Sequence, residues 1–189
     1  MKGAAQAFSP RAMEKVRMKR ILVLVVGLTV SGLAWSESWV GLNYAQLEQD
    51  NRFYRAQSER LETDEVFLRL GADMNDYFAS ELRVGTTPEA TEEFGYSFEH
   101  DYILTALVRA RYEMGAFSPY LALGPSRVED TVTSPTGGTG SSSADGVALG
   151  VGLDIELGDH FGINAEFMRY YDIGNVTLRG PSAGVSWRF

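Results

Sequence analysis

The last nine residues of the chain, Pro181-Ser182-Ala183-Gly184-Val185-Ser186-Trp187-Arg188-Phe189, decide the fold. Counted back from the carboxyl end, Phe189, Trp187 and Val185 fall on one face, and Arg188 and Ser186 fall on the other. Successive side chains of a strand point to opposite faces, so the stretch predicts a strand with one apolar and one polar face. Such a strand fits the half-buried sheet of a soluble protein or the wall of a membrane barrel.

The amino-terminal part of the chain predicts a secretory signal peptide. A basic start at 18–20 precedes an apolar stretch over 21–33, and Ala34 and Ser36 are small residues at the positions that a signal peptidase reads. The apolar stretch is shorter than the roughly 20 residues that a transmembrane helix needs. We therefore expect a signal peptide over residues 1–36, with Met18 as an alternative translation start, and a mature domain over 37–189.

The mature domain is strongly acidic. It carries 11 arginines, no lysine and 24 acidic residues, and the whole chain has no cysteine. Nucleic-acid binding depends on basic side chains that neutralise phosphates, so we expect no nucleic-acid partner. No disulfide can stabilise the domain, and a closed ladder of strand hydrogen bonds would serve instead.

Eight segments of the mature domain alternate in the same way, each about ten residues long, as in the strands of a transmembrane barrel. They are Trp39–Leu47, Glu65–Met74, Phe78–Thr87, Tyr102–Met114, Pro119–Arg127, Gly146–Leu157, Gly162–Tyr171 and Leu178–Phe189. The fifth is the weakest, because its apolar residues are consecutive and allow either facing. We predict an all-β fold, a single antiparallel, eight-stranded, up-and-down barrel.

The connections between these segments alternate in length. Short turns are predicted at 75–77, 115–118 and 158–161, and long connections at 48–64, 88–101, 128–145 and 172–177. Outer-membrane barrels have short periplasmic turns and longer external loops, whereas Greek-key sandwiches do not sort their loops in this way. The sorting predicts that both ends of the mature domain are periplasmic.

Aromatic residues concentrate near the two ends of the predicted strands, as in the interfacial belts of membrane proteins. One predicted belt, on the periplasmic side, comprises Trp39, Tyr77, Phe78, Phe117, Phe161, Trp187 and Phe189. The other comprises Tyr44, Phe98, Tyr102, Tyr170 and Tyr171. The alternative is that these rings form the core of a soluble barrel.

Several stretches resemble the small eight-stranded outer-membrane barrels of the OmpA/OmpX type, which also belong to the porin family. They are Trp39–Tyr44, Glu81–Gly85, Pro119–Gly124 and the closing strand. The resemblance implies a Gram-negative outer-membrane location, contact with membrane lipid and lipopolysaccharide, and a monomer. It implies no cofactor, and we expect no peptidoglycan-binding domain after the last strand.

The carboxyl terminus resembles the signature by which such barrels are recognised for assembly. Val185, Trp187 and Phe189 carry it, with Phe189 as the final residue. The resemblance implies an interaction with the barrel-assembly machinery during biogenesis.

If the apolar faces contact lipid, a set of charged residues points into the barrel. It comprises Arg69, Asp73, Glu81, Arg83, Arg109, Arg111, Glu113, Asp154, Glu156, Glu166 and Arg188. Eight strands enclose an interior that side chains fill, and buried charges must be paired. We expect an Arg–carboxylate network that closes the lumen, and a narrow ion path is the alternative.

A lipid A-modifying enzyme is a further alternative. Ser97, His100 and the acids Glu99 and Asp101 would lie at the outer rim, where an acyl hydrolase needs a nucleophile, a base and an orienting acid. These residues are nearly consecutive in an acidic loop, and they do not resemble the motifs of known lipid A enzymes. We expect a solvated turn position for His160 and no catalytic residue in the chain.

The predicted external loops are polar. The second is rich in acids but matches no calcium-loop spacing, so we expect no metal site. The third contains the stretch 134–143, whose Ser, Thr and Gly content predicts a flexible loop. We expect a non-enzymatic structural or surface-interaction protein, with a narrow channel as the alternative and a soluble lipocalin-like barrel as the competing fold.

Overall fold

The computed structural model describes residues 37–51, 60–88, 91–93, 96–134, 138–174 and 176–189. The predicted signal peptide lies outside the described residues. The described residues form nine strands: β1 Ser38–Asn51, β2 Arg60–Asp73, β3 Phe78–Thr86, β4 Thr91–Glu93, β5 Tyr96–Arg111, β6 Phe117–Thr133, β7 Thr139–Glu156, β8 Phe161–Ile173 and β9 Val176–Arg188. Each of the eight predicted segments lies mostly or wholly within a long strand, and β4 is a short addition.

The eight long strands close into a barrel in which every pairing is antiparallel. The sheet order runs from β3 through β2, β1, β9, β8, β7 and β6 to β5, and a further pairing of β3 with β5 completes the ring. The first and last strands pair directly, with Trp39 opposite Arg188 and Asn51 opposite Val176. The predicted all-β, eight-stranded, up-and-down barrel is confirmed. The part of the chain described contains no helix that is long and apolar enough to cross a membrane.

Side chains alternate between the lumen and the outer surface of the barrel. Outward-facing apolar side chains remain largely exposed, among them Leu42, Leu68, Val108, Leu121, Leu123, Val147, Leu149, Val151, Phe167 and Val185. In the ambiguous fifth segment, Tyr120 and Ala122 point into the lumen and Leu121 and Leu123 point outward. An apolar belt therefore lies on the outside, and charged side chains such as Arg69 and Glu81 point into the lumen.

The two ends of the barrel differ in their connections. At the end where residues 37 and 189 lie, here called the turn end, the connections are tight, and Gly115 and Gly158 adopt positive φ angles of 66° and 118°. The backbone N–H groups of Tyr77 and Phe78 each donate to Asn75 Oδ1 at 2.9 Å and stabilise the first of these turns. The opposite end, here called the hairpin end, carries strand extensions.

All four predicted long connections are shorter than expected, because strands extend into them. Within 48–64, β1 continues to Asn51 and β2 begins at Arg60, and within 88–101 lie β4 and the start of β5. The ladder between β6 and β7 continues to Thr133 and Thr139, so most of 128–145, including residues 139–143 of the predicted flexible stretch, is paired strand. Side chains of β-branched residues such as Val132 favour this extension. The predicted long connection at 172–177 is also wrong, because β8 continues to Ile173, which pairs with Val176 at the start of β9. Gly174, directly after β8, has a φ of 61°.

Candidate functional site

The lumen contains a buried ionic cluster built around Glu81 on β3. Arg69 Nε donates to Glu81 Oε1 at 2.7 Å, and Arg69 Nη2 donates to Oε2 at 3.1 Å. Arg83 Nε also donates to Glu81, and Arg109 Nη1 lies 3.4 Å from it. The side chain of Glu81 is fully buried. One carboxylate is thus shared by three guanidinium groups, so its charge is compensated only inside this cluster.

Glu166 on β8 forms the second acceptor of the cluster. It receives both amino groups of Arg83, with Arg83 Nη2 at 2.8 Å from Oε2. The Tyr120 hydroxyl and the Ser182 hydroxyl donate to Glu166 at 2.7 and 2.8 Å. These contacts join β3, β6, β8 and β9 across the lumen. Bidentate pairing of this kind requires the planar fork of arginine, which lysine lacks.

Arg109 and Trp39 close the lower side of the cluster, towards the turn end. Arg109 donates to Asp154, and its guanidinium lies 3.6 Å from the centre of the Tyr120 ring. Trp39 is 6% exposed and has Arg69 and Arg109 at 5.1 and 5.3 Å from its ring. The prediction that Trp39 belongs to an outer aromatic belt was therefore wrong. Because Trp39 points inward, its ring forms cation–π contacts with Arg69 and Arg109, in addition to the contacts that these arginines make with carboxylates.

The remaining predicted lumen charges lie at the rim of the turn end. Arg111 and Arg188 both bind Asp73, at 2.7 and 3.3 Å. Glu156 lies 3.3 Å from Arg188 and Glu113 3.2 Å from Arg111, with carboxylate side chains that are 43% and 51% exposed. The predicted lumen charges thus divide into a buried cluster around Glu81 and a partly exposed group at the rim of the turn end.

A cavity of about 400 Å³ opens at the turn end and reaches the ionic cluster. Its lining includes Trp39, Arg109, Asp154, Asn164 and Arg188. The amide of Asn164 and Nε of Arg109 are buried and have no hydrogen-bond partner among the described residues. This cavity is here called the vestibule, and its unpaired polar groups are of the kind that buried water satisfies in proteins.

An apolar layer separates the ionic cluster from the hairpin end. Phe67 precedes Arg69 by two residues on β2 and stacks on Tyr170 with ring centroids 5.2 Å apart. The other large members of the layer are Leu47, Ile103, Val128, Met168 and Leu178, all at most 1% exposed. These side chains pack together as one buried cluster on the lumen side of the strands. Sequence reasoning did not foresee this layer.

A second polar cluster lies above the apolar layer, next to the outward-facing polar residues Asp64 and Asp101. His100 Nδ1 lies 2.5 Å from Glu65 Oε1, and His100 Nε2 lies 3.4 Å from Asp130 Oδ1. Burial opposes protonation of His100, but the hydrogen bond to Glu65 and the charges of Glu65 and Asp130 outweigh it and raise the pKa. Burial also raises the pKa of Asp130.

The contacts of His100 do not favour the alternative in which His100 is the general base of an acyl hydrolase. A general base needs one ring nitrogen that is free to accept a proton from the nucleophile. Here carboxylates face both nitrogens, so neither ring nitrogen is free for a nucleophile. The side chains of Ser97 and Glu99 lie outside the described residues. His160 lies in the turn before β8, and its ring is 5.3 Å from that of Trp187.

Two β-bulges explain why these positions escaped sequence reasoning. The ladder between β5 and β6 shifts at Asp101, between His100 and Tyr102, and turns His100 inward although Tyr102 points outward. A second shift lies at Tyr170, between Arg169 and Tyr171. Tyr170 is buried in simple alternation with Glu166 and Met168, and the shift adds Tyr171 to the buried residues. The predicted place of both tyrosines in an outer aromatic belt was therefore wrong. Glu65 follows the simple alternation of β2, so its inward position was readable from the sequence.

The residues of the predicted assembly signature lie on the outer surface at the turn end. Val185, Trp187 and Phe189 are 45%, 48% and 73% exposed. The backbone N–H of Phe189 donates to the carbonyl of Ser38 at 2.9 Å and continues the pairing with β1. Within the described ranges, no group of three or more His, Asp or Glu side chains is placed to hold a metal ion.

Several solved structures of β-barrel proteins are similar to this chain in fold. Ail of Yersinia pestis, crystallised with the heparin analogue sucrose octasulfate, has a TM-score of 0.63 and 19% identity, over 82% of this chain and 99% of Ail. Neisserial surface protein A has a TM-score of 0.62 and 16% identity, and the match covers 80% of this chain and 97% of that protein. OprG of Pseudomonas aeruginosa has a TM-score of 0.57 and 12% identity, and the match covers 82% of this chain and 96% of OprG.

No curated protein matches the sequence. The family model described as the outer membrane protein beta-barrel domain matches residues 21–189. This range contains all nine strands and every residue of the lumen cluster. The chain therefore belongs to the outer-membrane protein β-barrel family.

Proposed function

We propose that this protein is a non-enzymatic component of a Gram-negative outer membrane, with a structural or surface-interaction role and a closed lumen. The observation that carries the proposal is the inverted distribution of polarity. Apolar side chains such as Leu121 and Val151 are more than half exposed on the outside, whereas Arg69, Arg83 and Glu81 are at most 3% exposed inside. A soluble barrel would gain stability from the opposite arrangement.

The proposed orientation places the turn end in the periplasm and the hairpin end outside the cell. Short turns on one side and extended hairpins on the other support it. In this orientation the proposed assembly signature, with Phe189 at its end, is available to the barrel-assembly machinery from the periplasm. The proposal includes a monomer in contact with outer-membrane lipid and lipopolysaccharide, without a cofactor.

A surface-interaction role rests on the strand extensions beyond the apolar belt. The hairpin of β6 and β7 ends in Ser, Thr and Gly residues, which provide hydrogen-bonding groups without a fixed pocket. A sulfated polyanion like the one bound to Ail is disfavoured as a partner here, because the chain has a formal net charge of −8.

The alternative is a narrow passive channel, and the vestibule at the turn end is the observation in its favour. It forms the lower half of a path, up to Arg69 and Arg109. A channel would also have to cross the apolar layer at Phe67 and Tyr170, which are at most 1% exposed. A lipid A-modifying activity has less support, because both nitrogens of His100 are engaged.

The proposed location and orientation are tested by cysteine labelling, which the cysteine-free sequence makes clean. Gly138→Cys places a thiol at the hairpin end, and Asp159→Cys places one at the turn end; both positions are exposed. With intact cells and a membrane-impermeant maleimide, we expect labelling at 138 only, and at both positions after permeabilisation of the outer membrane. Labelling of 159 alone in intact cells would refute the orientation, and recovery in the soluble periplasm would refute the membrane location.

A further inference from the structure

We infer that Arg169 and Arg179 form a binding site for the phosphomonoester of a lipid headgroup, on the outer wall of the barrel at the hairpin end. This inference rests on the proposed membrane orientation. The two arginines are direct cross-strand partners on β8 and β9. Their neighbours Met168, Tyr170, Leu178 and Gly180 are buried on the lumen side, so both arginines point outward.

The height of the pair on the barrel matches a headgroup layer. Phe161 and Trp187, which are opposite each other, mark the turn end of this outer stripe. Arg169 lies eight residues further along β8, about 26 Å at about 3.3 Å per residue. A strand tilt of about 40° reduces this to about 20 Å along the barrel axis, near the edge of an apolar band about 25 Å tall. The intervening outward residues include Ile163, Phe167 and Val185, which are apolar.

The pair keeps hydrogen-bond donors that no acceptor in the described part of the chain satisfies. Like charges directly opposite each other destabilise a sheet unless an anion lies between them. Arg169 Nη1 binds Asp172 at 3.2 Å, but Arg169 Nε is buried without a partner in the described part of the chain. Arg179 forms no hydrogen bond or ion pair with any described residue, although Glu48 is its neighbour on β1. A phosphate between the two guanidinium groups would supply the missing acceptors.

The distribution of the other outward cations agrees with this assignment. Among the arginines whose side chains are described, Arg127, Arg169 and Arg179 point outward at the hairpin end, whereas Arg111 and Arg188 at the turn end point into the lumen. Arg127 already pairs with Asp145 at 3.3 Å. It therefore provides a matched control, with the same charge and the same edge of the belt but with a partner within the protein.

The test is binding of diphosphoryl lipid A to the full-length mature protein in detergent micelles, measured by native mass spectrometry. We expect Arg179→Gln to weaken binding about tenfold or more, since hydrogen bonds between charged groups contribute this much. Arg127→Gln should change it less than about twofold. Lipid A stripped of both phosphates should bind the unmodified protein as weakly as lipid A binds the Arg179→Gln variant.

Four results would overturn the assignment. Equal losses in the two variants would indicate a general charge effect, and an unchanged Arg179→Gln variant would exclude the site. Equal binding of phosphatidylglycerol would exclude a phosphomonoester requirement, and competition by inorganic phosphate at the same affinity would assign the site to a free anion. A barrel that folds normally but fails these tests leaves the proposed function intact, because the labelling experiment tests that function separately.

Discussion

Replacement of Glu81 by glutamine should destabilise the barrel more than any change at the rim of the turn end. Glutamine keeps the size of the side chain but removes the charge that Arg69, Arg83 and Arg109 share. Its amide nitrogen would also point a donor at guanidinium donors. Removal of one partner from a buried ion pair costs about 3–5 kcal/mol, because the other partner stays buried and uncompensated.

The assay is the free energy of unfolding in urea, measured in phospholipid vesicles and followed by tryptophan fluorescence. Trp39 lies 5.1 Å from the Arg69 guanidinium, so it reports directly on the cluster. Glu113→Gln is the matched control, because Glu113 is 51% exposed and pairs with Arg111 at 3.2 Å. Exposed pairs contribute about 0–1 kcal/mol. A loss below about 1 kcal/mol for Glu81→Gln, equal to the control, would refute the account of the lumen as a cooperative ionic cluster.

Three further outcomes follow from the structure. Gly124→Ala should destabilise the barrel by about 2 kcal/mol or more in the same urea assay, because the new Cβ would lie 1.9 Å from a backbone oxygen, whereas Gly138→Ala meets open space and should be neutral. The raised pKa of His100 means that its stabilising contact with Glu65 is complete below about pH 6.5 and lost as pH rises through the folded pKa. Unfolding free energy should therefore fall above about pH 6.5 in the unmodified protein and stay flatter in His100→Gln; parallel pH profiles would contradict this. Phe189→Asp should lower the yield of protein in the outer membrane, measured by immunoblot of fractionated cells, far more than Gly138→Asp, and equal yields would remove the proposed assembly role.

Period-two alternation predicted the barrel because lipid and lumen impose opposite polarity on the two faces of each strand. Arg69, Glu81, Arg83 and Glu166 could be placed inside on this basis alone. The pairing among them could not be predicted, because it depends on the strand order around the ring and on register across the lumen. Glu166, for example, meets Arg83 from a strand 83 residues away.

The sequence was least informative where the strand geometry is irregular. A one-residue bulge reverses the facing of every residue beyond it, and nothing in the local composition announces the bulges at Asp101 and Tyr170. These two shifts account for the inward facing of His100 and for the burial of Tyr171, whereas Tyr170 faces inward by the simple alternation of β8. Trp39 was misplaced for another reason, since an aromatic residue near a strand end fits an interfacial belt and a cation–π contact equally well.

The central claim is that side chains close the lumen, and single-channel recording in planar lipid bilayers tests it most directly. With the unmodified mature protein, we expect a baseline without discrete openings over a range of applied voltages, because the ionic cluster and the apolar layer at Phe67 and Tyr170 block the path. Stable, reproducible openings of one size would contradict the claim and favour the channel alternative.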